Sequence, residues 1–312
     1  MRNIHINQFK RILRNFYIRV KYYKLERKDN ALPKTVVMFI ENGYHKQHPG
    51  LVDRFKAIVG MYYIAKKNGW DFKLVFTTPF CLEEYLEPNL VDWKIDRQDI
   101  SRDLFDTRLI EYNAFGSLPT LKNNIKQYHC YFYEGFNFLQ KNNISDWETE
   151  WAKMFHMLFK PSKRLESLLT EYLPSQPYVA VHFRFVNALE HFEDGYDNAV
   201  SKEDQRILID KCLETLKGIK IKENKDVYVF TDSAVFSSIA KEKGYNTVGT
   251  NDIGHISFET KTETYDKTFL DLFAISRAAR VYAIHGNVLY NSVFPYYAAI
   301  IGCTDYVVLE IQ

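Results

Sequence analysis

The chain has 312 residues, enough for two domains of ordinary size or one large α/β domain. Hydrophobic residues make up 46% and charged residues 26%, a globular balance that excludes disordered and collagen-like classes. The net charge is only +2, so the whole molecule gives no argument for nucleic acid, but the charge is unevenly spread. Residues 1–30 carry nine Lys/Arg against Glu26 and Asp29, which puts them at +7 and the remainder at about −5. Cys81, Cys130, Cys212 and Cys303 lie far apart and form no CxxC or Cys/His cluster, which argues against structural zinc and for a reducing compartment. No apolar run is long enough to span a bilayer, and the N-terminus lacks a secretory h-region with its cleavage site. The expected location is cytoplasmic.

In residues 4–25, Ile4, Phe9, Ile12, Leu13, Phe16, Val20 and Tyr23 fall near helical spacing with basic residues between them. Such a basic amphipathic helix suits either an anionic membrane surface or packing on the body with its charged face in water. After a polar linker at residues 28–33, strands are predicted at 35–40, 71–76 and 128–133, with helices at 52–67, 80–86, 147–159 and 163–173. Residues 89–125 mix short apolar and polar patches and support no assignment. From residue 178 the pattern becomes regular. Strands at 178–183, 226–231, 246–249, 280–284 and 306–310 alternate with helices at 201–217, 233–243, 266–279 and 288–301. Ser201, with Asp204 three residues on, has capping-box spacing. Five strands alternating with four helices imply a parallel sheet covered on both faces, with ligands at the carboxyl ends of its strands.

The residues at those strand ends are therefore where chemistry is expected. Tyr178-Val-Ala-Val181 runs into His182-Phe183-Arg184, so His182 and Arg184 fall on alternate positions and share one face. Arg offers a fork of donors suited to phosphate oxygens, although a strand-end Arg also serves to pair a carboxylate. Asp271 lies among Phe269, Leu270, Leu272 and Phe273, where a carboxylate needs a partner: the N–H groups of a base, a nearby Arg, or water on an outer helix face. Asn291-Ser292-Val-Phe294 offers N–H groups and a hydroxyl at a helix start, and Gly50 stands just before the helix of residues 52–67. Neither a P-loop nor a GxGxxG sequence occurs.

Together these fragments resemble the GT-B fucosyltransferase superfamily, which spans protein O-fucosyltransferases, α-1,6-fucosyltransferases and plant xyloglucan fucosyltransferases. The matching pieces are Gly50-Leu-Val-Asp-Arg54, Val181-His-Phe-Arg184, Val227-Tyr-Val-Phe-Thr-Asp232, Asp271-Leu and Asn291-Ser-Val-Phe294. They run in order from about residue 36 to the C-terminus. Three positions depart: the α-1,6 family has a second arginine where Phe185 stands, and the plant loop has Gly and Asn where Val52 and Asp53 stand.

The resemblance implies two Rossmann-like α/β lobes with parallel sheets: an acceptor-side lobe at residues 31–175 and a nucleotide-sugar lobe at 176–312, after the basic segment 1–30. It implies an inverting glycosyltransferase using GDP-fucose, without a metal or other cofactor, and the sequence contains no Asp-x-Asp. Backbone N–H groups of Gly50 and Leu51, together with Arg184 and Ser292, would bind the diphosphate. His182 and Asp271 would hold the guanine. Glu190 and Glu193, beside His191 and Asp194, are candidates for the base, with Asp53 an outside one and a solvated acidic loop the plain alternative. Another nucleotide sugar, or a silent sugar-nucleotide-binding or glycan-binding protein, are the other readings. Partners are then a donor and a glycan acceptor, with residues 1–30 suited to peripheral contact with the inner face of a membrane.

Overall fold

The computed structural model describes residues 17, 20–25, 33–42, 48–112, 121–122, 124–190, 198–249, 262–286 and 288–311. The chain divides into two compact units: Met1–Pro49, Asp53–Thr78 and Pro88–Ser145 form one, and Gly50–Val52, Pro79–Glu87 and Asp146–Gln312 the other.

In the first unit, β1 (Thr35–Ile40) is an apolar run buried at every position, as a strand covered on both faces must be. It is followed by α1 (Leu51–Lys67), whose first two residues count with the second unit, β2 (Asp71–Phe76), β3 (Leu86–Pro88), of which Leu86 and Glu87 belong to the second unit, β4 (Thr107–Tyr112), β5 (Gln127–Tyr133) and the short α2 (Phe138–Lys141). The sheet order is β2-β1-β5-β4, with every pair parallel. β4 lies in the stretch that resisted assignment. It is an edge strand with a register shift between Ile110 and Glu111, and Arg108, Leu109 and Ile110 are all half-exposed, so no clean alternation shows. Gly60 lets α1 approach its neighbours, since a Cβ there would strike the Tyr112 hydroxyl and Phe138.

Residues 20–22 are helical, and Tyr22 is fully buried against Tyr131 and His129, with ring centroids at 5.5 and 5.8 Å. The Tyr22 hydroxyl bonds to His129 Nδ1, and His129 Nε2 donates to Gln127 Oε1 at 2.8 Å. Lys24 then zips onto residues 102–104 through Lys24 N–H to the Arg102 carbonyl (2.8 Å) and Leu104 N–H to the Lys24 carbonyl (3.0 Å). Residues 20–25 are thus part of the body. Most of the basic segment, apart from Tyr17 and residues 20–25, lies outside the described residues.

The second unit opens with α3 (Trp147–Leu158), β6 (Phe159–Pro161) and α4 (Lys163–Tyr172). The expected boundary at residue 175 puts these in the first lobe, whereas the main stretch of the second unit begins at Asp146. They belong here because Trp151 packs edge-on against Tyr297 at 4.9 Å and Arg164 pairs with Asp266 at 2.6 Å. Then follow β7 (Tyr178–Phe183), α5 (Lys202–Glu223), β8 (Asp226–Thr231), α6 (Ala234–Glu242), β9 (Asn246–Thr247), α7 (Thr262–Ser276), β10 (Arg280–Gly286), α8 (Phe294–Gly302) and β11 (Tyr306–Ile311). The sheet is parallel throughout, in the order β11-β10-β7-β8-β9, and β3 pairs with β6 apart from it. α5 buries Leu208, Cys212, Leu216 and Ile219 against Val179, Val181 and Val229. Ser201 caps that helix by accepting from Asp204 N–H at 3.1 Å, as the capping spacing predicts. β8 and β9 lie to one side of β7, and β10 and β11 to the other. The strand order therefore reverses between β7 and β10, whose carboxyl ends flank a topological switch point. Among the described residues no helix is long and apolar enough to cross a membrane.

Candidate functional site

Arg184 leaves β7 at that switch point. The chain turns at once: Val186 takes φ +53°, a left-handed conformation that is costly for a β-branched side chain. Asp232, the first residue after β8, holds the turn. One carboxylate oxygen accepts from Phe185 N–H (2.7 Å) and the other from Val186 N–H (2.8 Å). Its Oδ2 also lies 3.2 Å from Arg184 Nε. From the other side, Tyr290 N–H donates to the Arg184 carbonyl (2.9 Å), and Asn198 Nδ2 donates to the carbonyls of Phe185 and Val288 (2.8 Å each). The loops after β7, β8 and β10 are thus fastened together around one guanidinium, whose side chain keeps 18% exposure. Burial pushes the Asp232 carboxyl above its usual range, against the opposing pull of Arg184 and the backbone N–H groups. Phe185, where the α-1,6 family has its second arginine, is a core residue here, 4.9 Å from the Phe236 ring.

His182 lies two positions before Arg184 on β7 and is buried. Burial, then the charges of Arg184 and Lys267, push its pKa down to about 3, so the imidazole is neutral and offers one donor and one acceptor. Asp271 finds a partner that the sequence reading did not name: Lys267, one turn earlier on α7, donates to both carboxylate oxygens. Burial still raises the Asp271 carboxyl above its usual value, with Lys267 opposing. Lys267 and Asp271 thus form one pair on α7, and His182 and Arg184 share the end of β7. Ser292 stands in the loop after β10, where its hydroxyl accepts from Phe294 N–H (3.3 Å) at the start of α8.

Gly50–Val52 count with this same unit. Gly50 has no left-handed φ, and a Cβ there would meet no heavy atom within 4 Å, so the backbone before α1 borders open space; Leu51 is buried. Arg54, the last residue of that fragment, is structural: it is buried and donates to the carbonyls of Pro49 and Thr78, each at 2.7 Å. Asp53 pairs with Lys56 at 2.7 Å. Glu190 is half-buried and uses Oε1 to accept from Val235 N–H (3.3 Å) in the first turn of α6, a capping contact. Glu193, His191 and Asp194 lie outside the described residues. Among the described residues no group of three His, Cys, Asp or Glu side chains stands together as a metal site.

No family profile matches the sequence, and no curated protein does. Solved structures do match. A variant of FUT1 from Arabidopsis thaliana, in complex with GDP, superposes with a TM-score of 0.55 at 11% identity, covering 96% of this chain and 75% of that one. Fucosyltransferase NodZ from Bradyrhizobium superposes with a TM-score of 0.53 at 12% identity, covering 86% and 93%. The chain has a GT-B-like α/β fold.

Proposed function

We propose that this chain is an inverting, metal-independent glycosyltransferase that moves fucose from GDP-fucose to a glycan hydroxyl, in the synthesis of a cell-surface polysaccharide or glycolipid. The observation that carries the reading is Arg184, held by Asp232 on a strained turn at the switch point of a parallel sheet. A leaving nucleoside diphosphate gains negative charge as the glycosidic bond breaks, and a pre-positioned guanidinium stabilises that charge without reorganising. FUT1, with the same fold, was solved with GDP, and NodZ is a fucosyltransferase. On this reading Gly50 and Leu51 N–H groups and Ser292 add diphosphate contacts, His182 and Asp271 hold the base, and Glu190 or Glu193 deprotonates the acceptor. The enzyme works on the cytoplasmic side, with the basic residues that precede the packed stretch 20–25 at an anionic membrane.

The test is consumption of a panel of GDP-, UDP- and dTDP-sugars with glycan acceptors in excess EDTA. GDP-fucose is consumed, and the product anomer is inverted. Folded Arg184→Ala loses about 2.7–4 kcal/mol of transition-state stabilisation, roughly 100-fold to 1,000-fold in rate. Turnover that needs added Mn²⁺ or Mg²⁺, or that survives Arg184→Ala, overturns this mechanism. One observation favours a second reading, a sugar-nucleotide-binding protein without turnover: Glu190 is occupied in capping α6. Tight donor binding with no product in any acceptor mixture would select it.

A further inference from the structure

β11 ends the second sheet, and its ladder to β10 runs without a break from Tyr306 to Ile311. Among the described residues no strand pairs with its other edge. An open edge strand is a template for another chain, and proteins ordinarily blunt it. This molecule does so at the other edges of its two large sheets. β9 is only two residues long. On β2, Leu74 N–H donates to the Trp93 carbonyl and Lys73 Nζ to the Asp92 carbonyl, each at 2.8 Å. On β4, Leu109 N–H donates to the Tyr23 hydroxyl at 2.9 Å, and the register shifts after Ile110. β11 keeps six residues in register and contains no Lys, Arg, Pro or bulge.

One bond tells which backbone groups face outward. Val281 N–H donates to the Asp305 carbonyl at 2.9 Å, so Asp305, Val307 and Leu309 turn their N–H and C=O toward β10. Tyr306, Val308 and Glu310 turn theirs away. The side chains of these three share one face, where Tyr306 packs on Tyr296 at 5.0 Å and Val308 is left 46% exposed. Val307, Leu309 and Ile311 point the other way, into the core under α5.

We infer that β11 pairs antiparallel with β11 of a second copy of this chain, about a two-fold axis beside Val308. The sequence around Val308 complements its own reverse. Val308 meets the partner's Val308, Val307 meets the partner's Leu309, and Tyr306 meets the partner's Glu310, a phenol donor opposite a carboxylate acceptor. Tyr306, Val308 and Glu310 then use both their outward N–H and C=O groups. A shift by one residue would set Asp305 against the partner's Glu310 and oppose outward groups with inward ones. A self-complementary contact of this kind closes after two copies. It touches none of the residues of the proposed diphosphate site, so it stands apart from the glycosyltransferase reading.

Sedimentation equilibrium of the full chain tests this. At micromolar concentration the native protein has twice the mass of one chain. Val308→Lys alters a side chain that is exposed in the single chain, and its circular dichroism reports folding. It sets two ammonium groups against each other at the axis and weakens association about 100-fold or more. Cross-linking reads the register separately, in a Cys81→Ser/Cys303→Ser background. Val308→Cys at the axis has Cα atoms about 5.5 Å apart, within reach of a disulfide, and joins two chains under mild oxidation. Glu310→Cys is also exposed but stands ~13 Å from its counterpart along the strands, and does not. A native chain that stays monomeric leaves β11 to a different partner and overturns the inference. So does a Val308→Lys protein that still dimerises, or equal cross-linking at 308 and 310.

Discussion

Asp232 serves three groups with two oxygens: the N–H groups of Phe185 and Val186, and the Arg184 guanidinium. In Asp232→Asn the amide accepts at one oxygen only and turns an NH2 toward a donor. That variant should lose about 1–3 kcal/mol of stability in urea unfolding, and donor turnover should fall nearly as far as in Arg184→Ala. Full turnover in a destabilised Asp232→Asn protein would mean that Arg184 needs no positioning. Glu190 allows a cleaner separation. Glu190→Gln keeps a carbonyl oxygen for Val235 N–H but cannot take a proton, so the melting temperature should hold while kcat drops about 10²–10⁴-fold if Glu190 is the base. Unchanged kcat leaves it a cap. Sequence alone placed His182 and Arg184 at the end of β7 because alternation after an apolar strand is a local signal. It missed the role of Asp232 because that residue's partners sit on the neighbouring strand, a relation that only the β7–β8 register reveals.

Elements that bury both faces were the easiest to read: β1, β7 and β8 appear as apolar runs within a residue of where they lie. α5 runs six residues beyond its expected end, to Glu223, because Ile219 continues its buried stripe after Leu216 and Asn224 closes the helix with φ 49°. The N-terminal segment is where periodicity could not decide between membrane and body. Tyr22, fully buried and bonded to His129, decides it for residues 20–25. Tyr22→Ala should therefore cost about 3–5 kcal/mol, as large aromatic truncations in cores do, and removal of all thirty residues should destabilise the first unit. Deleting only residues 1–16 spares Tyr22, so thermal unfolding should be unchanged. Binding to vesicles with anionic lipid should fall and weaken with salt, each basic residue near such a surface counting about 1 kcal/mol. Equal vesicle binding by both forms would end the membrane role.

Across the whole molecule the two units share a titration behaviour. His129 in the first and His182 in the second both have pKa values pushed down to about 3, chiefly by burial. Folded, each stays neutral; unfolded, each takes a proton below about 6.5. Their contribution is complete above that value and is lost as pH falls toward 3, at about 1.4 kcal/mol per pH unit for each ring. Asp232 and Asp271, whose carboxyls burial raises, act in the opposite sense, adding stability as pH falls through their raised values. Urea midpoints should thus fall between pH 7 and pH 5, and His182→Gln should flatten the slope of the second unit alone. A midpoint that does not move with pH would show that these rings are not held neutral. The two-lobed α/β architecture was legible in the alternation after residue 178. The division between units was not, because Trp151 and Arg164 are claimed by partners more than a hundred residues downstream.

On the ribosome, two halves of one aromatic cluster emerge far apart in time. Phe80 and Tyr85 are made early but finish their packing on Phe269, with ring centroids at 5.3 and 4.2 Å, and Tyr85 donates to Asp266 at 2.7 Å. Nearly two hundred codons separate donor and recipient, a wait of roughly 10–40 s at ordinary elongation rates. For that interval two aromatic rings hang from a nascent chain with nothing to cover them, an exposed stretch of the kind that chaperones hold. Ribosome-bound chains stalled before codon 262 should therefore be cleaved by protease within residues 79–87, and chains stalled after full emergence of α7 should not.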